Sequence, residues 1–353
     1  MRIGILTFHW ATNYGAILQA YCLQEHIRNQ GHQVTIVYYK PRKFEFSWLR
    51  IIKHPRLWKG VPRALASRKK EKLLVPFRDK YLKTTNRYYS VNEFGEEIDK
   101  FDIFISGSDQ VLNPGFTLSG EDGRPSPVYW LGFGSKAAKR LGYAVSFGYE
   151  VYPEKAVPVV KPWINGFDVI GVREKSGLQI LEQLGYNGPC EILPDPTLLL
   201  GKNIFETLGL EMPLKRNDYI CVYMLRREVS IKCKDVRYID EKHHPLTMEE
   251  WLKSIMNAGA LITNSYHGMI VGLLSHVPFA VLLETEVSCG MNDRFRTLLD
   301  RIGLSDHMTT TVENALNIIR QPVDYNEVDL AINNYRMIGV DFLARNIRPN
   351  NEG

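Results

Sequence analysis

The sequence has few cysteines, and their spacing does not suggest a site. Its 353 residues include five cysteines, an odd number with no C-x-x-C pair. Both a disulfide framework and a cysteine-based zinc site are therefore disfavoured, and no metal is expected. The five are scattered along the chain: Cys22, Cys190, Cys221, Cys233 and Cys289.

Long apolar runs are missing as well. No stretch approaches the roughly 18 to 20 apolar residues that cross a bilayer, and the run 3–7 is too short for the core of a signal peptide. A cytoplasmic location is therefore expected. With 44% hydrophobic and 24% charged residues, the composition is that of a globular protein long enough for two domains.

The glycine pattern of dinucleotide-binding proteins is also absent. Residues 2–8 form a short apolar run, 16–29 are amphipathic, and 34–39 are β-branched and aromatic, which predicts a β-α-β unit. The loop after the first strand holds one glycine, Gly15, and no G-x-G-x-x-G, so a Rossmann dehydrogenase is disfavoured. That loop would still lie at the carboxyl edge of a doubly wound sheet, where such folds bind ligands.

Polar residues follow two later strands of this first unit. An apolar run that begins at Phe101 is followed by Ser108, Asp109 and Gln110. These residues carry the hydroxyl, carboxylate and amide groups that bind sugar hydroxyls. A loop that only caps a helix would look the same. Arg173 follows the strand predicted for residues 167–172 and would lie at the same edge.

A second α/β unit begins with the strand predicted for residues 219–225, which Arg226 and Arg227 follow directly. Further on, a buried strand leads into a turn, and His267 falls in the first turn of the next helix. The free N–H groups and dipole of a helix start favour an anion, which a histidine there can bind or protonate. In the alternative interpretation, Ser265 caps a core helix and His267 faces solvent.

Positive charge is concentrated in one stretch. Residues 40–72 contain twelve Lys or Arg and two Glu, a net charge of +10, so the rest of the chain carries about −5 of the total of +5. Aromatic and aliphatic residues are mixed among these cations. Such a stretch suits an anionic membrane surface or a phosphorylated substrate, although a solvated pair of helices would look the same. Nucleic acid is not expected, because no reader motif accompanies the charge.

Six short motifs occur in order along almost the whole chain: 13–20, 105–111, 172–174, 195–197, 263–268 and 292–295. As a set they resemble the polysaccharide pyruvyl transferase family. The resemblance implies an α/β fold with two Rossmann-like doubly wound domains, similar to the GT-B glycosyltransferases. It also implies transfer of a pyruvyl group from phosphoenolpyruvate to a sugar of a cell-surface polysaccharide or its precursor, with formation of a ketal and release of phosphate.

The expected partners are therefore phosphoenolpyruvate as a co-substrate, no further cofactor, and a saccharide acceptor that could be linked to a lipid at the inner face of the membrane. We expect residues 1–200 on the acceptor side, 201–322 on the donor side, and a helix in 323–353 that packs back on the first domain.

The sequence departs from the family pattern in two places. Leu112 replaces a tryptophan common in the family, and only about ten residues separate the strands near 219–225 and 236, so the second domain looks shortened.

The resemblance assigns roles to individual residues. His267 is expected to be the acid, because imidazolium is readily charged near neutral pH and can donate a proton, and Asp109 the base. The donor would be held by Arg173, Arg226, Arg227, Ser265, Tyr266, Gly268 and Arg294, and the acceptor by Asn13, Tyr14, Gly15, Ser108 and Gln110. Two alternatives remain: a nucleotide-sugar glycosyltransferase would use the same fold, and the shortened domain favours a non-catalytic sugar-binding or scaffold protein.

Overall fold

The computed structural model describes residues 1–45, 61–121, 123–225, 228–285 and 290–348, without the side chain of Arg63. Eleven strands are found in this part of the chain. They are β1 Arg2–Leu6, β2 Gln33–Ile36, β3 Ile103–Ser106, β4 Lys139–Val145, β5 Val169–Val172, β6 Cys190–Ile192, β7 Ile220–Tyr223, β8 Val236–Tyr238, β9 Ala260–Thr263, β10 Phe279–Leu282 and β11 Met308–Thr309.

The α-helices in the described ranges lie mostly between these strands along the chain. They are α1 Tyr14–Asn29, α2 Val61–Tyr81, α3 Pro114–Thr117, α4 Val157–Ile164, α5 Ser176–Gln183, α6 Pro196–Leu200, α7 Asn203–Thr207, α8 Met248–Met256, α9 Tyr266–Leu274, α10 Asp293–Arg301, α11 Val312–Ile318 and α12 Tyr325–Asn346.

The strands form two separate parallel sheets. The first has the order β2-β1-β3-β4-β5-β6, and the second has the order β11-β10-β9-β7-β8. Each strand pair that the structure describes is parallel. The expected α/β fold with two Rossmann-like domains is therefore confirmed.

The second domain is reduced at one edge. Strands β7 and β8 are parallel neighbours, yet the residues described between them, 224–225 and 228–235, contain no helix. A parallel pair usually needs a crossover that carries a helix. This direct crossover agrees with the shortening expected from the sequence.

Apolar packing is continuous between the two domains. In β3, Ile103 and Ile105 point to one face and Phe104 to the other, as the two-residue period of a strand requires. The core on the Ile103 face extends without interruption into the second domain and includes Trp251 of α8 and Met269 of α9.

Tyr14 is at the centre of the contact between the domains. Its ring stacks on Trp251, with centroids 5.0 Å apart and planes 6° from parallel. Its hydroxyl donates to the carbonyl of Leu246 at 2.7 Å and accepts from the N–H of the same residue at 2.8 Å. Lys70 of α2 lies 4.0 Å from the Tyr14 ring and forms an ion pair of 2.9 Å with Glu241 of the second domain.

The basic stretch 40–72 is only partly a charged surface. Lys70 is buried in the domain contact, and Lys40 forms an ion pair with Glu45 at 3.0 Å. These two cations therefore do not face solvent freely. The central part of the stretch, 46–60, lies outside the described residues.

The last helix, α12, lies against the first domain. The ring of Phe342 meets Tyr143 of β4 at 5.9 Å, and the guanidinium of Arg336 donates to the carbonyl of Leu199 at 2.8 Å. Gly339 makes this approach possible, because a Cβ atom there would come within 2.4 Å of the Tyr143 hydroxyl. The chain thus leaves the first domain, forms the second, and returns.

Candidate functional site

Polar side chains from both domains meet where the strands of the two sheets end. In parallel sheets this carboxyl edge is the usual place of a ligand site. The residues that follow β3, β5 and β6 in the first domain contact the start of α9 in the second. The cluster consists of Ser108, Asp109, Arg173, Glu174, Asp195 and His267.

Asp195 lies at the centre of this cluster and is completely buried. One of its oxygens caps α6 by accepting from the N–H and hydroxyl of Thr197, at 3.1 and 2.8 Å. The other accepts from the Ser108 hydroxyl at 3.0 Å, and lies 3.3 Å from Nη1 of Arg173 and 3.4 Å from Nε2 of His267. Burial alone would raise the pKa of this carboxyl, but His267 and Arg173 hold the pKa well below its usual range.

Arg173 is buried as well, and most of its donors are occupied. Its Nε lies 3.4 Å from Glu174, and Nη1 lies near Asp195 and 3.5 Å from the Ser108 hydroxyl. Burial alone would lower the pKa of the guanidinium, but the two carboxylates raise it. Nη2 has no hydrogen-bond partner among the described residues, and it is buried like the rest of the side chain.

His267 lies in the first turn of α9, as the sequence predicts, and it does not face solvent as the alternative interpretation held. Ser265 caps this helix by accepting from the N–H of Gly268 at 3.2 Å, and His267 is only 7% exposed. Gly15, in the first turn of α1, packs against the imidazole so closely that a Cβ atom would lie 2.1 Å from Nδ1. The ring is therefore held between Gly15 and Asp195.

Two guanidinium groups approach the ring of Tyr266. Those of Arg173 and Arg294 lie 5.2 and 5.5 Å from its centroid. Burial, and then repulsion from Arg173, lowers the pKa of Arg294 to about 10. Nε of Arg294 also lacks a hydrogen-bond partner in the part of the chain that the structure describes. The two arginines thus bring donors without a partner to the same side of the cluster.

The predicted acceptor residues have different surroundings. Asn13 caps α1 by accepting from the N–H of Ala16 at 3.1 Å, and the hydroxyl of Tyr14 is occupied by Leu246. Gln110 remains half-exposed. Asp109 is half-exposed too, and its backbone takes a left-handed conformation with φ of 83°, which is strained for a residue other than glycine and is found most often at functional sites.

Arg226 and Arg227, predicted to bind the donor, lie outside the described residues. The described ranges contain no group of three or more side chains placed to hold a metal ion. They also contain no helix long and apolar enough to cross a membrane.

Two residues of the cluster, Asp195 and Glu174, have no role in the sequence-based assignment. Burial raises the pKa of Glu174, and the carboxylate is paired with Arg173 and accepts from the Ser146 hydroxyl. Both residues belong to motifs that carry the family resemblance, 195–197 and 172–174. The carboxylates in these two motifs were therefore a signal for a role in the site. The signal was not specific for Asp195, because a proline follows it and its segment is equally typical of the end of a strand.

The contact between Gly15 and His267 gives a first prediction. In Gly15→Ala the new methyl group meets the Cβ and ring atoms of His267, so the imidazole must shift or the helices must separate. We expect a loss of stability of about 1–3 kcal/mol, as for other overpacked cores, and a changed chemical shift of the His267 ring in NMR spectra. Gly95→Ala is the control, because a Cβ atom there meets nothing within 4 Å. An unmoved His267 ring in Gly15→Ala would contradict the contact.

A second prediction concerns the charge of Asp195. Asp195→Asn leaves Arg173 and His267 without their shared carboxylate, and we expect it to cost about 3–5 kcal/mol of unfolding free energy at pH 7. Because the folded pKa is lowered, the carboxylate stabilises the fold above its ordinary pKa of about 3.9 and loses that effect as the pH falls further.

The difference between Asp195→Asn and the native protein in urea titrations should therefore shrink below about pH 4. Asp99→Asn, at an exposed position, is the control and should change little. A constant difference at every pH would show that the charge is not responsible.

No curated protein matches the sequence significantly. Among solved structures, a UDP-N-acetylglucosamine 2-epimerase from Rickettsia bellii is 11% identical, covers 98% of each chain and has a TM-score of 0.44. A sucrose-phosphate synthase from Thermosynechococcus elongatus is 14% identical, covers 97% of this chain and 94% of its own, and has a TM-score of 0.41.

A protein-family model gives the decisive match. The model described as polysaccharide pyruvyl transferase aligns with residues 13–284, which is most of the chain and includes Gly15, Asp195 and His267. The chain therefore belongs to the polysaccharide pyruvyl transferase family.

Proposed function

We propose that this protein transfers a pyruvyl group from phosphoenolpyruvate to a saccharide, where two hydroxyl groups form a ketal and phosphate is released. The observation that carries the proposal is the placement of His267. It is a potential proton donor at the start of a helix, held next to a buried carboxylate and close to two arginines that have unpartnered donors.

The reaction needs a proton at a defined carbon. Protonation of the methylene carbon of phosphoenolpyruvate places positive charge on carbon 2. One sugar hydroxyl then bonds to that carbon and loses its proton to a base. The bond to the phosphate oxygen breaks, and the second hydroxyl closes the ketal after losing its own proton.

His267 suits the role of acid. A protonated imidazole can donate a proton, and Nε2 of His267 lies 3.4 Å from a carboxylate oxygen of Asp195, which holds the ring in place. The backbone of Gly15 packs directly against the ring, where a larger side chain would not fit. Asp109, half-exposed at the same edge, is the proposed base for a sugar hydroxyl.

Anion binding falls chiefly to Arg294 in this arrangement. Arg173 already neutralises Glu174 and Asp195 and offers only Nη2, whereas Arg294 forms no ion pair among the described residues. The phosphate and carboxylate of the donor need several such contacts, and charge-assisted bonds to arginine are strong. Arg226 and Arg227 are proposed to supply the rest, while Tyr266 holds the guanidinium groups, and Ser265 and Gly268 shape the start of α9.

The acceptor is proposed to bind on the first-domain side, near Gln110 and Asn13. The hydroxyl of Ser108 already donates to Asp195, and that of Tyr14 is bound to Leu246. These two residues therefore contribute to the shape of the site more than to direct contacts with the sugar.

The test measures phosphate release from phosphoenolpyruvate in the presence of candidate saccharides. We expect His267→Gln to lower turnover by a factor of about 10² to 10⁴, because it removes the proton donor, and to leave the fold intact. His244→Gln, at an exposed position, is the matched control. Turnover with a nucleotide sugar instead would support a glycosyltransferase, and saccharide binding without turnover of either donor would support a non-catalytic protein.

We also propose that residues 40–72 bring the protein to the inner face of the membrane, where a lipid-linked acceptor would be found. Polybasic segments gain about 1 kcal/mol per cation near an anionic surface. The protein should then sediment with anionic vesicles, and neither with neutral vesicles nor at 1 M salt, where the Debye length is about 3 Å.

Exchange of Lys53, Arg56, Lys59 and Arg63 for Glu should abolish this sedimentation. The same exchange at the exposed Lys215, Lys232, Lys234 and Lys242 should not. Equal binding to neutral vesicles would contradict the proposal.

A further inference from the structure

A second cationic cluster lies at the carboxyl end of β1 and β2, apart from the residues around Asp195. It contains Lys40, Arg78 and Arg87, with side chains 14%, 9% and 29% exposed, and the carboxylates of Glu45 and Glu71. Three cations face two carboxylates, which leaves a net charge of +1.

The two carboxylates are bound differently. Glu71 is paired with Arg78 through two parallel contacts of 2.7 Å, the geometry of a stable structural pair. Glu45 places a single oxygen between two cations: it lies 3.0 Å from Nζ of Lys40 and also contacts Nη2 of Arg87. One carboxylate oxygen bridging a lysine and an arginine is the arrangement that an oxyanion of a ligand would make.

Aromatic side chains surround this cluster. Lys40 lies 5.5 Å from the centroid of the Trp10 ring, which packs on Phe44 at 5.0 Å. His9 is buried next to Tyr38, and its Nε2 has no hydrogen-bond partner in the described residues. Nε of Arg87 has none either. Aromatic rings and a donor without a partner, Nε of Arg87, are thus found together, whereas Nε2 of the neutral His9 is an acceptor because Nδ1 donates to the carbonyl of Thr7.

The cluster shares an edge of the sheet with the candidate site. Nδ1 of His9 lies 3.2 Å from the carbonyl of Thr7, and the Thr7 hydroxyl donates to the carbonyl of Ser108 at 3.0 Å. The two clusters are therefore connected through hydrogen bonds of buried residues along this edge.

We propose that Lys40 and Arg87 form an oxyanion subsite, which binds a phosphate or carboxylate carried by the saccharide and is occupied by Glu45 in its absence. The choice of a saccharide rests on the proposed function, but the binding of an oxyanion does not. Displacement of Glu45 costs little, because partly exposed ion pairs contribute little to stability. Burial, and then Arg87, lowers the pKa of Lys40 to about 8, and a bound anion would favour its charged form.

The experiment is calorimetric titration with two probes, inorganic pyrophosphate and glucuronate, in Arg294→Gln protein so that the arginine beside Tyr266 does not contribute. Arg87→Gln and Lys40→Gln should each weaken binding about 10- to 100-fold, because a charge-assisted contact is lost. Glu45→Gln should tighten binding about 2- to 5-fold, because the competing carboxylate loses its charge. Lys100→Gln is the control and should not change the affinity for either probe, because Lys100 is exposed just before β3, at the amino end of that strand.

The two probes distinguish the source of the anion. Binding of pyrophosphate alone assigns the subsite to a phosphorylated saccharide, and binding of glucuronate alone assigns it to an acidic sugar. The proposal is overturned if neither probe binds. It is also overturned if Arg87→Gln binds the probes as tightly as the protein that retains Arg87, or if Glu45→Gln binds them no more tightly than the protein that retains Glu45. In each of these cases the ion pairs serve only to hold the chain, and the assignment of His267 is unaffected, since no step of the assay involves catalysis.

Discussion

The carboxylate of Asp195 is the interaction on which the centre of the molecule depends. A buried charge is tolerated only when it is paired and hydrogen-bonded, and Asp195 finds partners after β3, after β5 and at the start of α9. Because these partners come from both domains, the same carboxylate orients the imidazole and fixes how the domains meet. Its own position is set by the cap of α6, a local feature of the chain.

The apolar contact around Tyr14 explains why the cluster is so well shielded from water. The stack on Trp251 and the ion pair between Lys70 and Glu241 close the domains over His267, which is only 7% exposed. In such an environment charge interactions are stronger than at the surface.

The sequence predicts what depends on short-range patterns. The alternation of strands and helices, the start of α9 at Tyr266 and the long last helix follow from periodicity and from capping residues such as Ser265. Helix α1 begins two residues before the predicted position, because Asn13 provides a cap that brings Tyr14 and Gly15 into the first turn.

What the sequence does not predict depends on partners far along the chain. Nothing near Lys70 indicates that its charge is buried against Glu241, and nothing near Asp195 indicates that it joins Arg173 to His267. The resemblance to the family identifies the motifs but not which of their atoms remain free. Only the geometry shows that Arg173 is largely neutralised, while Arg294 forms no ion pair in the described ranges.

The return of α12 to the first domain determines how the molecule can move. Since Gly339 and Phe342 hold this helix against Tyr143, the second domain is joined to the first by two chain segments, one before β7 and one after α11. A body attached at one point can turn in any direction, but a body attached at two points turns mainly about the line between them. A hinge rotation about that axis is therefore the motion that would open the space above His267, and the rim opposite the two connections would travel furthest.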